Sequence, residues 1–211
     1  MNVKLHILKQ STRLNSFEEI IRKSFEEGIN KIQNKIILPN VDVVVSDNPG
    51  SSIPETGVGG YAPTANLVYI NINPEFSDLE KTLFDEIQST LAHELHHCAR
   101  TEKIGYGKTL LEALVSEGLA DNFDIEVNNK KPKPWSVAIK DEELKDLKKK
   151  AEKDFNNDKY NHSAWFFGSR DLNIPRWAGY SLGFDIVKDY LKKTDKTASE
   201  LVVTDASEFI K

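Results

Sequence analysis

A single cysteine, Cys98, stands in a chain of 211 residues. An intramolecular disulfide needs a partner and a thiolate zinc cluster needs several cysteines, so both are excluded. No stretch approaches the roughly 18 apolar residues of a membrane span. The opening MNVKLHILKQSTRLNSFEEI holds no apolar run of signal-peptide length. These absences lead to the expectation of a cytoplasmic protein with no membrane partner. Basic charge is not in excess either: 28 Lys+Arg against 33 Asp+Glu leave a formal net charge of -5. A nucleic-acid backbone demands a basic stripe, and here lysines alternate with acids, so no nucleic acid is expected as partner. Internal repeats and low-complexity segments are absent.

What remains suits one α+β domain over 1–211, with a sheet-bearing N-terminal lobe of about 1–105 and a helical C-terminal lobe of about 106–211. Alternation of Val3, Leu5 and Ile7 with Lys4 and His6 predicts a strand over 3–8, and VDVVVS predicts another over 41–46. Glycine-rich TGVGGYAP reads as a sheet edge or as a flexible hairpin loop, and it leads into the strand candidate NLVYINI. Apolar spacing from Phe17 to Ile32 predicts a helix over 17–34. Ser77 and Glu80 form a capping-box pattern for a helix starting near Asp78, whose stripe runs through Leu83, Phe84, Ile87, Leu91, Leu95 and Cys98. Further helices are expected over 109–124, 141–155 and 179–193, and AWFFGSRDLNIPRWAGY is expected to be irregular until Pro175. In the first of these, Leu111, Leu114, Val115, Gly118 and Leu119 make the expected apolar stripe.

The chemistry concentrates in TLAHELHHCARTE, where His93-Glu94-Leu95-His96-His97 satisfies H-E-x-x-H. Residues four apart are neighbours on a helix surface, so His93 and His97 can offer two imidazole nitrogens to one zinc ion. Glu94 is turned about 100° from His93 and about 60° from His97, which suits a base acting on water more than a third ligand. His96 points away from that edge and reads as a surface residue or an outer neighbour of the site.

A catalytic zinc site of this kind takes three protein ligands and keeps one position open. Glu117, twenty positions after His97, can complete the set, and Asp121, four further on, can accept a hydrogen bond from the free N–H of a liganding histidine. Glu102 and Glu112 compete for the third place. Arg100 and Lys103 stand where the metzincin extension would need glycine and histidine, which removes that branch.

With these residues in hand, His93–His97 followed by Glu117 and Asp121 resembles the gluzincin branch of the zincins, which includes thermolysin. The resemblance implies a zincin-like fold with the H-E-x-x-H helix at a cleft, and a contact of Asp121 with His93. PRWAGYSLGFDIVKDYL is similar to a bacterial family described as zinc-dependent proteases and catalogued as a domain of unknown function.

The expected activity is zinc-dependent hydrolysis of peptide bonds, with one Zn2+ per chain, Glu94 as general base and a peptide or protein as substrate. Tyr180, Tyr106, His162 and Arg176 are the candidates to stabilise the developing oxyanion, Tyr180 foremost. Gly59 and Gly60 would let a peptide approach the sheet edge closely. A di-iron centre needs a second Glu-x-x-His, which the chain lacks. The other reading is a non-catalytic zinc-binding protein of the same fold that acts through a partner. Oligomeric state is not legible.

Overall fold

The strand β1 (Val3–Ile7) half-buries Val3, Leu5 and Ile7 and exposes Lys4 and His6 between them. In β2 (Val41–Asp47) the same alternation is sharper, with Val41, Val43 and Val45 buried. The two strands pair in parallel. Parallel neighbours cannot be joined by a tight turn, and the helix α1 (Glu18–Gln33) lies between them in the chain. The structure, a computed structural model, describes residues 2–211. It divides into two compact units, one ending at Lys103 and the other spanning Ile104–Lys211.

The first unit carries a mixed four-stranded sheet in the order β1-β2-β4-β3. The glycine-rich stretch is a strand, β3 (Val58–Thr64), antiparallel to β4 (Leu67–Ile72). This settles the choice left open by the sequence: the stretch is a sheet edge. On α1, Ile21, Phe25, Ile29 and Ile32 are buried at helical spacing. That face packs on α2 (Leu79–Lys103), where a Cβ at Gly28 would come within 3.3 Å of Leu91 Cδ1 and Ser24 Oγ donates to the Phe84 carbonyl at 2.5 Å. From Leu91 to Arg100, α2 is buried at every position except His93. Over Glu94–Arg100 the helix therefore has no solvent face, and His96, fully buried, is not the surface residue that one reading of the sequence allowed.

The second unit is helical: α3 (Leu110–Asn128), α4 (Asp141–Glu152), α5 (His162–Phe167) and α6 (Ala178–Thr194), with short 3-10 turns at Pro134–Val137, Ser199–Leu201 and Ala206–Ile210. Two expectations are corrected. The segment expected to be irregular from Ala164 begins inside α5, a helix started by Asn161, whose side chain accepts from Ala164 N at 3.0 Å. And α3 has no single apolar stripe, because every residue from Leu110 to Asp124 except Glu112 is buried. Along it Gly118 faces Gly183 of α6, where a Cβ on either would collide with a backbone carbonyl of the other helix. The helices meet there backbone to backbone. Gly183→Ala is expected to push them apart and destabilise the protein by about 1–3 kcal/mol or more, read as a lower midpoint in denaturant unfolding. Among the described residues no helix is long and apolar enough to cross a membrane.

Candidate metal centre

On α2, one helical turn separates His93 from His97, and their rings meet edge to face with centroids 4.7 Å apart at 79°. The two Nε2 atoms face each other at 3.0 Å. His97 is buried and His93 half-buried. Glu94, also buried, lies against the backbone of β3: a Cβ at Gly60 would collide with its carboxylate and come within 2.6 Å of Thr90 Cγ2. Glycine at 60 is thus required by the close approach of the edge strand to the helix. Cys98 Sγ donates to the Thr64 carbonyl at 3.7 Å, a further tie between α2 and the end of β3.

In the second unit, Glu117 is buried on α3 and accepts at Oε1 from the Tyr106 hydroxyl at 2.7 Å. Burial, reinforced by the Glu117 charge, holds the Tyr106 hydroxyl well above its ordinary pKa. Asp121 lies one turn further along α3. Its Oδ2 accepts from Ser136 Oγ at 2.6 Å and its Oδ1 from Trp135 Nε1 at 3.2 Å, both from the 3-10 turn Pro134–Val137. That turn is pinned in its own right, because Ser181 Oγ on α6 donates to the Trp135 carbonyl at 2.8 Å. Two fixed donors thereby set the Asp121 carboxylate.

One group of three metal-ligating side chains is present among the described residues. His93, His97 and Glu117 each offer a ligand atom, and these atoms all lie within 4.8 Å of one another. The donor set is chemically apt for zinc. Two imidazole nitrogens on a tetrahedral ion at bond lengths of about 2.0–2.1 Å would stand roughly 3.3 Å apart, close to the 3.0 Å between the two Nε2 atoms. Two imidazoles and a carboxylate leave one of four positions for a further ligand.

The competing glutamates are otherwise engaged or remote. Glu112 closes a capping box at the start of α3, its Oε2 accepting from Thr109 N at 2.8 Å and from Lys108 N at 2.7 Å. Those bonds hold its pKa below the ordinary carboxylate value. Glu102 is exposed and outside the cluster.

Of the remaining expected residues, Tyr180 lies in the first turn of α6, edge-on to Phe166 at 5.1 Å. His162 begins α5, stacks on Phe166 at 4.4 Å and pairs at Nδ1 with the Tyr160 hydroxyl at 2.9 Å. Desolvation of its ring lowers its pKa, although the residue as a whole stays exposed, while Glu117 pulls the other way. Arg176 is exposed, sits over the Trp177 ring at 4.0 Å, and lines a cavity of about 820 Å³ with Asp146, Lys150 and Phe167. Glu117, Tyr180 and His162 are not among the walls of that cavity. Gly59 pairs with Asn71 and Gly60 with Ile70 across the β3–β4 ladder. Sequence reasoning missed Trp135, Ser136 and Tyr160, none of which has a periodic or motif signal.

The chain is 25% identical over 178 residues to the uncharacterized protein YjfC of Bacillus subtilis (strain 168), covering 74% of this chain and 55% of that protein. It is 27% identical over 141 residues to the uncharacterized protein YjaZ of the same organism, covering 64% of this chain and 52% of that one. The chain thus spans about half the length of the curated relatives it matches. No solved structure matches it. The family model described as "Predicted Zn-dependent protease (DUF2268)" matches residues 21–211, and the chain belongs to that family.

Proposed function

We propose that the chain is a zinc metallopeptidase of gluzincin type, a single zincin-like domain spanning both units, with His93, His97 and Glu117 as ligands and Glu94 as general base. The observation that carries the reading is the close grouping of the three ligand atoms on residues that include both histidines of the H-E-x-x-H stretch. A zinc ion held there would polarise a substrate carbonyl and acidify a water at the open position.

The chain's own residues do the rest. The Glu94 carboxylate takes the proton of the attacking water and delivers it to the leaving amine. Its burial against Gly60 restricts it to few rotamers, which favours a fixed proton path. Asp121, held by Ser136 and Trp135, is the outer partner that would orient His93. Tyr180 is the preferred donor to the developing oxyanion, with His162 and Arg176 behind it. The cavity that Arg176 lines lacks the other candidates, which weakens its case.

The substrate is a peptide or protein in extended form. As terminal strand of the sheet, β3 has an edge that β4 does not use; at its start the Val58 carbonyl accepts from Ile53 N and Thr56 Oγ1, and a peptide could add to the rest by main-chain hydrogen bonds beside Gly60. The test is hydrolysis of a mixed peptide library by the purified protein. Cleavage should disappear on chelation and return with added zinc; cleavage that survives complete metal removal would contradict the proposal.

A further inference from the structure

We propose that Tyr106 is a positioning residue of the metal centre: its hydroxyl engages Oε1 of Glu117, so that the carboxylate presents one oxygen to the ion instead of two. This rests on the reading of Glu117 as a ligand and adds to it the group that sets how that ligand binds.

The Tyr106 hydroxyl is 2.7 Å from Glu117 Oε1, a short bond to a buried carboxylate. A buried carboxylate requires donors, and a fixed donor on one oxygen fixes the rotamer of the whole group. What makes the donor fixed is the segment Gly105-Tyr106-Gly107-Lys108-Thr109. Gly105 and Gly107 have φ of +85° and +114°, a region that side chains rarely adopt, and a Cβ at Gly107 would collide with Glu112 Cβ. Glu112 in turn accepts from Lys108 N, Thr109 N and Thr109 Oγ1 at 2.7, 2.8 and 3.0 Å. The loop carrying Tyr106 is therefore locked onto the first turn of α3, the helix that carries Glu117. Hydroxyl and carboxylate belong to one rigid frame. The Tyr106 ring is further steadied by edge contact with His162, centroids 6.3 Å apart.

This accounts for Glu112, which is spent on holding the loop, and it separates Tyr106 from Tyr180. The Tyr106 proton is directed at the ligand, not at a substrate.

The test compares wild type and Tyr106→Phe as apoproteins titrated with zinc against a competing chromophoric chelator, and with cobalt(II) by visible absorption. Loss of an outer partner of a ligand typically lowers metal affinity about 10- to 100-fold, and that fall is expected. The cobalt bands should weaken as the freed carboxylate binds through both oxygens and the coordination number rises, while apoprotein melting stays unchanged. A purely structural tyrosine would lower apoprotein melting and leave the cobalt spectrum alone. If Tyr106→Phe does not fold, Gly105→Ala decides by the same readouts, since a Cβ there meets nothing closer than 3.9 Å and only the loop conformation is strained. Affinity and spectrum equal to wild type would overturn the inference and leave the peptidase proposal standing. A wild-type protein that takes up neither metal would overturn both.

Discussion

Glu94→Gln is expected to abolish peptide hydrolysis while zinc content stays at the wild-type level. General base catalysis by a positioned carboxylate typically contributes about 10²–10⁴-fold, and an amide cannot take the proton. Glutamine matches the shape of glutamate, so the contact with Gly60 and Thr90 survives and the helix is not disturbed. Zinc is retained because the three clustered ligand atoms belong to His93, His97 and Glu117. The measurement pairs steady-state hydrolysis with metal analysis of the same sample. Full activity in the variant would remove Glu94 from the role. Zinc binding by a wild type that cleaves nothing would favour a protein that holds the ion and acts through a partner.

His97→Ala is expected to erase zinc-dependent stabilisation. A ligand that binds only the folded state adds about 2.7 kcal/mol at a hundredfold excess over its dissociation constant. For a chain of this length that is a rise in Tm of roughly 5–10 °C. Wild-type protein should show this rise on zinc addition in a calorimetric or fluorescence melt. His97→Ala should melt at one temperature with and without the ion, because one imidazole and one carboxylate leave too few donors to hold zinc tightly. An undiminished rise in the variant would mean that the ion binds elsewhere.

Where the sequence spoke clearly, the signal was local. His93 and His97 are four apart on a helix, and that spacing alone brings their nitrogens together. Glu117 and Asp121 are likewise four apart, on a second helix whose length and apolar content were plain. The β-branched run of β2 and the alternation of β1 needed only a period of two. What escaped was tertiary. The burial of His96 cannot be read from a helical wheel that assumes one solvent face, because α2 has none around it: Glu94 to Arg100 are all buried. The turn bearing Trp135 and Ser136 reaches Asp121 across fourteen and fifteen positions of chain with no periodicity to betray it. One miss had a usable signal: Thr109 and Glu112 form T-x-x-E, the same pattern as Ser77 and Glu80, and it commits Glu112 to a cap before any ligand is sought. The helix α5 is only 6 residues long, too short for its aromatics to display a period.

The most direct test of the central claim is the metal content of protein purified without a histidine tag or chelator, measured by elemental mass spectrometry. The account predicts about one zinc per chain, lost from His93→Ala and Glu117→Ala proteins. Protein that contains no zinc, and takes up none at micromolar concentration, would contradict it.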